Sequence, residues 1–297
     1  DMAVGDKRMT RLIQGDVGSG KTVVAMAAIL QAVGSGYQGA MMAPTEVLAQ
    51  QHYELLSKNF DLLGVNTVLL AGSQSKSERE EILFKIRSGK AQVVVGTQAL
   101  IQEAVQFNAL GLVVTDEQHR FGVRQRTLLQ DKGDNPHVLV MTATPIPRTL
   151  ALTAYGDLQL SVLDEMPAGR KPVITKKISE RSRPNLEKFL EGQLSEGRQV
   201  YFVCPLVQET EKTDLVSATQ RAELLQRRFP GKKVDLLHGR MKTQEKEEIM
   251  QRFRRRETDI LVATTVVEVG VNVPNATVMV VEGAERFGLA QLHQLRG

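Results

Sequence analysis

Gly15-Asp16-Val17-Gly18-Ser19-Gly20-Lys21-Thr22 is the stretch from which the fold can be read. It satisfies G-x-x-x-x-G-K-[S/T], follows the apolar pair Leu12-Ile13 and opens a helical stretch from about Lys21 to Val33. That strand–loop–helix setting is the one a phosphate-binding loop requires. The glycines let the backbone curl so that its N–H groups face an anion. The helix start adds favourable partial charge. Lys21 is placed to reach the β- and γ-phosphates of a nucleoside triphosphate, and the Thr22 hydroxyl to ligate Mg²⁺. The whole loop from Gly15 to Thr22 is therefore a candidate nucleotide site.

Working outward, apolar runs alternate with longer helical stretches. Strands are expected at Ala40–Ala43, Val93–Val95, Leu112–Val114 and Val138–Met141, with a helix from Thr45 to about Phe60. Continuous apolar strands of this kind are buried on both faces, as in a parallel sheet covered by helices. The second half repeats the scheme. Its strands are expected at Val200–Val203, Val234–Leu237, Ile260–Ala263 and Val278–Val281, its helices at Pro184–Ser195, Ala218–Arg228 and Thr243–Arg254. The reading is an α/β protein of two tandem RecA-like P-loop lobes with parallel sheets. Lobe 1 spans 1–165, a linker 166–172 and lobe 2 173–297. The stretch Asp164 to Pro172, with two prolines and a glycine, has no apolar period.

The strand Leu112-Val113-Val114-Thr115 delivers Asp116-Glu117-Gln118-His119. Carboxylates at the C-terminal end of such a strand lie at the ligand-binding edge of the sheet. Asp116 can hold Mg²⁺ and its water shell. Glu117 can orient or deprotonate an attacking water. His119 adjoins them directly. Thr142 and Thr144, in Met141-Thr142-Ala143-Thr144-Pro145, follow another strand and can relay between the nucleotide and a neighbouring lobe. Thr45 and Thr97 also follow strands and precede helices, a setting suited to phosphate oxygens or simply to helix capping. His238-Gly239-Arg240 and Ala263-Thr264-Thr265 mirror these segments in the second half. The arginines at Arg252, Arg254, Arg255 and Arg256 are interleaved with Glu245, Glu247, Glu248 and Glu257, the pattern of a solvated helix face.

Composition narrows the classes. The chain has 297 residues, 42% of them hydrophobic, which suits two ordinary cores. The apolar runs fall short of the ~20 residues of a membrane span. One cysteine, Cys204, excludes an internal disulfide and fits a reducing cytosol. With no tryptophan and 4% aromatics, base-stacking platforms are few. The net charge of +4 permits a polyanionic partner without demanding one.

The series GDVGSGKT, MAPTEVLAQQH, VVVGTQAL, DEQH, TATP, LLHGR, ATTVVEVGVNVP and QLHQLRG resembles superfamily-2 helicases over the whole chain. More narrowly, Asp116–Arg126, Met141–Leu158 and Gly283–Gly297 look like the RecG family of branched-DNA helicases. The resemblance implies an ATP- and Mg²⁺-dependent, monomeric, cytosolic and nucleoid-associated motor with ATP between its lobes. It would act on forked or branched duplex DNA in repair and recombination, without a membrane. Residue by residue, it implies phosphate and Mg²⁺ binding by Gly18–Thr22 and a hydrolysis box of Asp116, Glu117 and His119. Gln118 would contact the nucleotide or the second lobe, and Thr142 and Thr144 would couple the lobes. Thr45, Thr97, Thr264 and Arg240 would stand on the DNA side. Asn272 stands where the family usually has aspartate, and its amide can still bond a ribose hydroxyl. The family also implies a wedge domain and an adenine-reading glutamine before Asp1, and catalytic arginines after Gly297. The rival readings are a repair-coupling translocase, a nucleotide-switched binding module without motor activity, and a metabolic P-loop kinase.

Overall fold

The computed structural model describes residues 2, 8–72, 74–117, 121, 123–143, 158–165, 173–205, 211–264 and 273–296. They form two compact units, residues 1–170 and 171–296. The expected linker 166–172 lies outside the described residues.

Unit 1 is a seven-stranded parallel sheet in the order β3-β4-β2-β5-β6-β1-β7. The strands are β1 Thr10–Gly15, β2 Gln38–Met42, β3 Thr67–Leu70, β4 Val93–Gly96, β5 Leu110–Thr115, β6 His137–Thr142 and β7 Gln159–Leu163. Its helices are α1 Lys21–Gly34, α2 Glu46–Phe60, α3 Lys76–Arg87 and α4 Val123–Gln130. Alternate residues of each central strand serve opposite faces. Met41, Val95 and Val114 pack with Ile29 of α1 and Leu56 of α2. Ala40, Val94 and Val113 pack with Ile86 of α3 and Leu129 of α4. Two-sided burial explains why these strands read as unbroken apolar runs.

Unit 2 is a four-stranded parallel sheet in the order β11-β8-β10-β9. The strands are β8 Gln199–Cys204, β9 Val234–Leu237, β10 Ile260–Thr264 and β11 Ala276–Val281. The helices are α5 Arg183–Ser195, α6 Glu211–Arg228, α7 Thr243–Arg254 and α8 Leu289–Arg296. Val200, Phe202 and Val262 pack with Leu190 of α5 and Leu225 of α6. Tyr201, Leu261 and Ala263 pack with Met250 and Phe253 of α7.

The expected strands are all present. Five elements escaped the sequence reading: β3, α3, α4, β7 and α8. The helix expected at Ala218 begins earlier, at Glu211. β3 is short, α3 (KSEREEILFKIR) is strongly charged, and β7 is an edge strand with no fully buried position.

Over four strands the two sheets share one plan. Gln38 opens β2 and Gln199 opens β8, each fully buried. Gln38 Nε2 donates to the carbonyls of Ile86 and Ala91, while Gln199 Nε2 donates to those of Phe253 and Thr258. Both glutamine N–H groups donate to the residue just before the next strand of the sheet, at Ala109 and Asn275. Both neighbouring strands then skip one residue in register, between Leu110 and Leu112 and between Ala276 and Val278. Thus β2, β4, β3 and β5 correspond to β8, β10, β9 and β11. In this register Thr97 matches Thr264, and Asp116 matches Glu282. Asp116 N–H donates to Met42 O at 3.0 Å and Glu282 N–H to Val203 O at 2.9 Å, at matching places.

Candidate nucleotide site

β1 ends at Gly15 and α1 starts at Lys21, so the loop between them spans one edge of the unit 1 sheet. Gly18 and Gly20 have φ of 79° and 95°, conformations that side chains rarely adopt. A side chain at Gly15 would collide with Ser19 Oγ and with the backbone oxygen of Leu163, 3.0 Å away. Asp16 organises the turn: its carboxylate accepts from Val17 N–H at 2.7 Å and its carbonyl from Ser19 N–H at 3.1 Å. Lys21 Nζ donates to the carbonyls of Gly15 at 2.7 Å and Asp16 at 2.8 Å. The ammonium is thereby anchored over its own loop.

The starts of the helices differ in a telling way. α2 is capped by Thr45, whose hydroxyl accepts from Leu48 N–H at 3.3 Å. α3 is capped reciprocally by Ser75 and Glu78. α1 starts at Gly20 with no side-chain cap and no acidic residue in its first turn. A helix start with no acidic cap is one that an anion suits.

Because all strands of the sheet are parallel, the C-terminal ends of β1, β5 and β6 share one edge. β6 separates β1 from β5, so the phosphate loop and Asp116 stand two strand spacings, about 10 Å, apart at their strand ends. Thr142, buried, ends the strand between them. Asp116 Oδ1 accepts from Glu117 N–H at 3.0 Å, and Asp116 Oδ2 lies 2.8 Å from His52 Nε2. Glu117 itself takes φ 47°. A left-handed non-glycine residue costs of order 1 kcal/mol or more and persists where the surrounding structure over-determines the backbone.

A divalent cation fits this donor set. Each oxygen of Asp116 has one described protein contact, and a carboxylate offers about four acceptor positions. With Thr22 in the first turn of α1, the hard oxygen ligands Mg²⁺ prefers are on hand. Gln118, His119, Thr144 and Asn272, the other expected members, lie outside the described residues.

The residues expected on the DNA side occupy the same sheet edges. Thr45 caps α2 and Thr97 follows β4. Thr264 ends β10, buried, its hydroxyl without a partner among the described residues. Arg240 is exposed in the turn after β9. His238 nearby is held below its usual pKa by partial burial and by Lys246 and Arg240, the mark of a locally positive turn.

Two residues of the strand-end carboxylates went unrecognised in the sequence. His52 is one; it sits mid-helix, and its partner is distant in the chain. Glu282 is the other. Its Oε1 accepts from Arg183 Nη2 at 2.8 Å, and Arg221 Nη2 lies 2.7 Å from the same oxygen. Its Oε2 accepts from Arg221 Nε at 2.9 Å. Partial burial works against the charge of Arg183, yet Glu282 and Glu180 raise its pKa above the usual arginine value. Counted from the turns that follow α1 and α5, Arg183 stands where Thr22 stands.

A phosphate loop and a strand-end aspartate in one unit, joined to a second RecA-like unit, are the arrangement of the helicase families. The chain belongs to the DEAD/DEAH box helicase family, whose model matches residues 3–153; the helicase conserved C-terminal domain matches residues 183–297. Within that class its particular likeness is to proteins named ATP-dependent DNA helicase RecG. It is 57% identical to that of Streptococcus pneumoniae over 98% of this chain and 43% of the relative. To that of Bacillus subtilis it is 52% identical over 98% of this chain and 43% of the relative. A solved structure of RecG bound to a three-way DNA junction superposes with TM-score 0.83 at 46% identity, covering 100% of this chain and 38% of that one. The chain spans less than half the length of these relatives. Among helices of the described residues, none is long and apolar enough to cross a membrane.

Proposed function

We propose that this chain is the motor of an ATP-dependent DNA helicase that remodels branched duplex DNA in repair and recombination. One observation carries the reading: the Lys21 loop and Asp116 flank a single strand at one sheet edge, in a chain 57% identical to a RecG helicase. Lys21 would neutralise the β- and γ-phosphates. Thr22 and Asp116 would hold Mg²⁺, whose charge offsets that of the phosphates. Glu117 would orient the attacking water and take its proton. Thr142, with Thr144, would couple hydrolysis to the second unit, and Asn272 would bond the ribose. Thr45, Thr97, Thr264 and Arg240 would meet the phosphate backbone, which carries no base information, so grip is independent of sequence. We place the molecule at work as a monomer in the bacterial cytosol.

The test compares a three-way junction with linear duplex of equal length, measuring ATPase stimulation and strand separation by the full-length protein. The junction is expected to stimulate more and to be unwound. Turnover indifferent to any DNA would overturn the motor reading in favour of a nucleotide-switched module.

A further inference from the structure

The proposed chemistry assigns no task to the His52–Asp116 contact at the end of β5. His52 lies on α2, a different element from the phosphate loop and from β5, and its side chain is 11% exposed. Asp116 is held from three directions. Its N–H is tied to β2 through Met42, its Oδ1 receives Glu117 N–H, and its Oδ2 meets His52 Nε2. Of these, only the His52 contact acts on the carboxylate from outside its own segment and the strand beside it.

Unit 2 shows what a different residue does at the same place. Counting back from the buried ends of the helices, Phe60 of α2 and Phe229 of the turn after α6, His52 and Arg221 occupy matching positions. Arg221 makes two contacts to Glu282, and Arg183 adds a third. A guanidinium fork there, helped by a second one, engages both carboxylate oxygens. An imidazole in its place presents one nitrogen to one oxygen, which fixes the rotamer and leaves acceptor positions for a cation.

We propose that His52 is a positioning residue for Asp116, holding its carboxylate in the orientation that binds the divalent cation of the nucleotide. The proposal rests on the ATP-motor reading above. Groups that orient a metal ligand from behind are worth about 10–100-fold in metal affinity when removed.

The experiment uses the full-length protein and Mg²⁺. In His52→Ala, the Mg²⁺ concentration giving half-maximal ATPase should rise at least tenfold. The gain in ADP affinity that Mg²⁺ confers, read by calorimetry, should shrink, while ADP affinity in EDTA stays the same. His52→Gln places an amide nitrogen near the position of Nε2 and should restore most of the Mg²⁺ response. His52→Arg, copying unit 2, should abolish it. A thermal melt of each variant separates folding from positioning. Unchanged Mg²⁺ dependence in His52→Ala, or a glutamine variant as impaired as alanine, would overturn the proposal and leave His52 a packing residue. Failure of the ATP-motor reading shows elsewhere, in unmodified protein whose turnover ignores Mg²⁺, and it removes both.

Discussion

At the end of β5 the first unit carries Asp116; at the matching end of β11 the second carries Glu282. Each carboxylate closes a strand at the same sheet edge, and each is approached by a nitrogen from the helix that follows the neighbouring strand. In unit 2 the charge is met by Arg221 and Arg183, the latter from the first turn of α5. In unit 1 the corresponding first turn offers Thr22 and the helix offers His52. Where unit 2 has guanidinium groups, unit 1 has the oxygen ligands proposed for Mg²⁺. On the proposed reading, the difference teaches that the nucleotide site is a RecA-like strand end without the arginine counter-ions that unit 2 carries. Among the described residues, unit 2 has no counterpart of β1 and its phosphate loop.

The strongest way to break this comparison is Lys21→Ala. Among the described residues its loop has a place in unit 1 alone, so ATP turnover should fall on the order of 10³-fold, as when a transition-state charge contact is removed. DNA affinity should be largely kept, because the partner proposed for Lys21 is the nucleotide and not the track. Parallel measurement of ATPase and DNA binding decides it, and near-normal hydrolysis would mean that the loop is not the triphosphate site.

Next come the paired glutamines. If the two units share one plan, Gln38→Leu and Gln199→Leu should behave alike. Each strands buried carbonyls, at a cost of about 1–3 kcal/mol per unsatisfied group. Chemical unfolding of both variants is the measurement; a large loss in one and none in the other would show that the correspondence is only geometric.

The smallest effect is expected at Glu282→Gln. The ion pairs are partly exposed, Glu282 by 25%, so screening limits the loss to about 1–2 kcal/mol. Mg²⁺-dependent nucleotide affinity should not move, in contrast to Asp116→Asn. A thermal melt and calorimetric titration check both halves, and a fall in nucleotide affinity would give Glu282 a role beyond holding unit 2 together.

Much of this was legible in the residues. The glycine loop is a local pattern, and doubly buried strands such as Val93–Val95 announce themselves as apolar runs. Asp116 and Glu117 could be found because they end such a run. What could not be read depends on distance or conformation. His52 meets Asp116 across 64 positions of chain, and nothing in Ala49-Gln50-Gln51-His52 marks its partner. The left-handed backbone of Glu117 has no sequence signature. α3 shows little apolar surface, since only Ile86 along it is fully buried. The mirror of Thr97 and Thr264 was visible in outline, while that of Asp116 and Glu282 needed the register.

The phosphate loop of unit 1 has a thermodynamic consequence. A triphosphate held there would, by linkage, stabilise that unit by about 2.7 kcal/mol at a hundredfold excess over its Kd. The resistance of unit 1 to heat, denaturant or a protease should therefore rise with the nucleotide level around the protein.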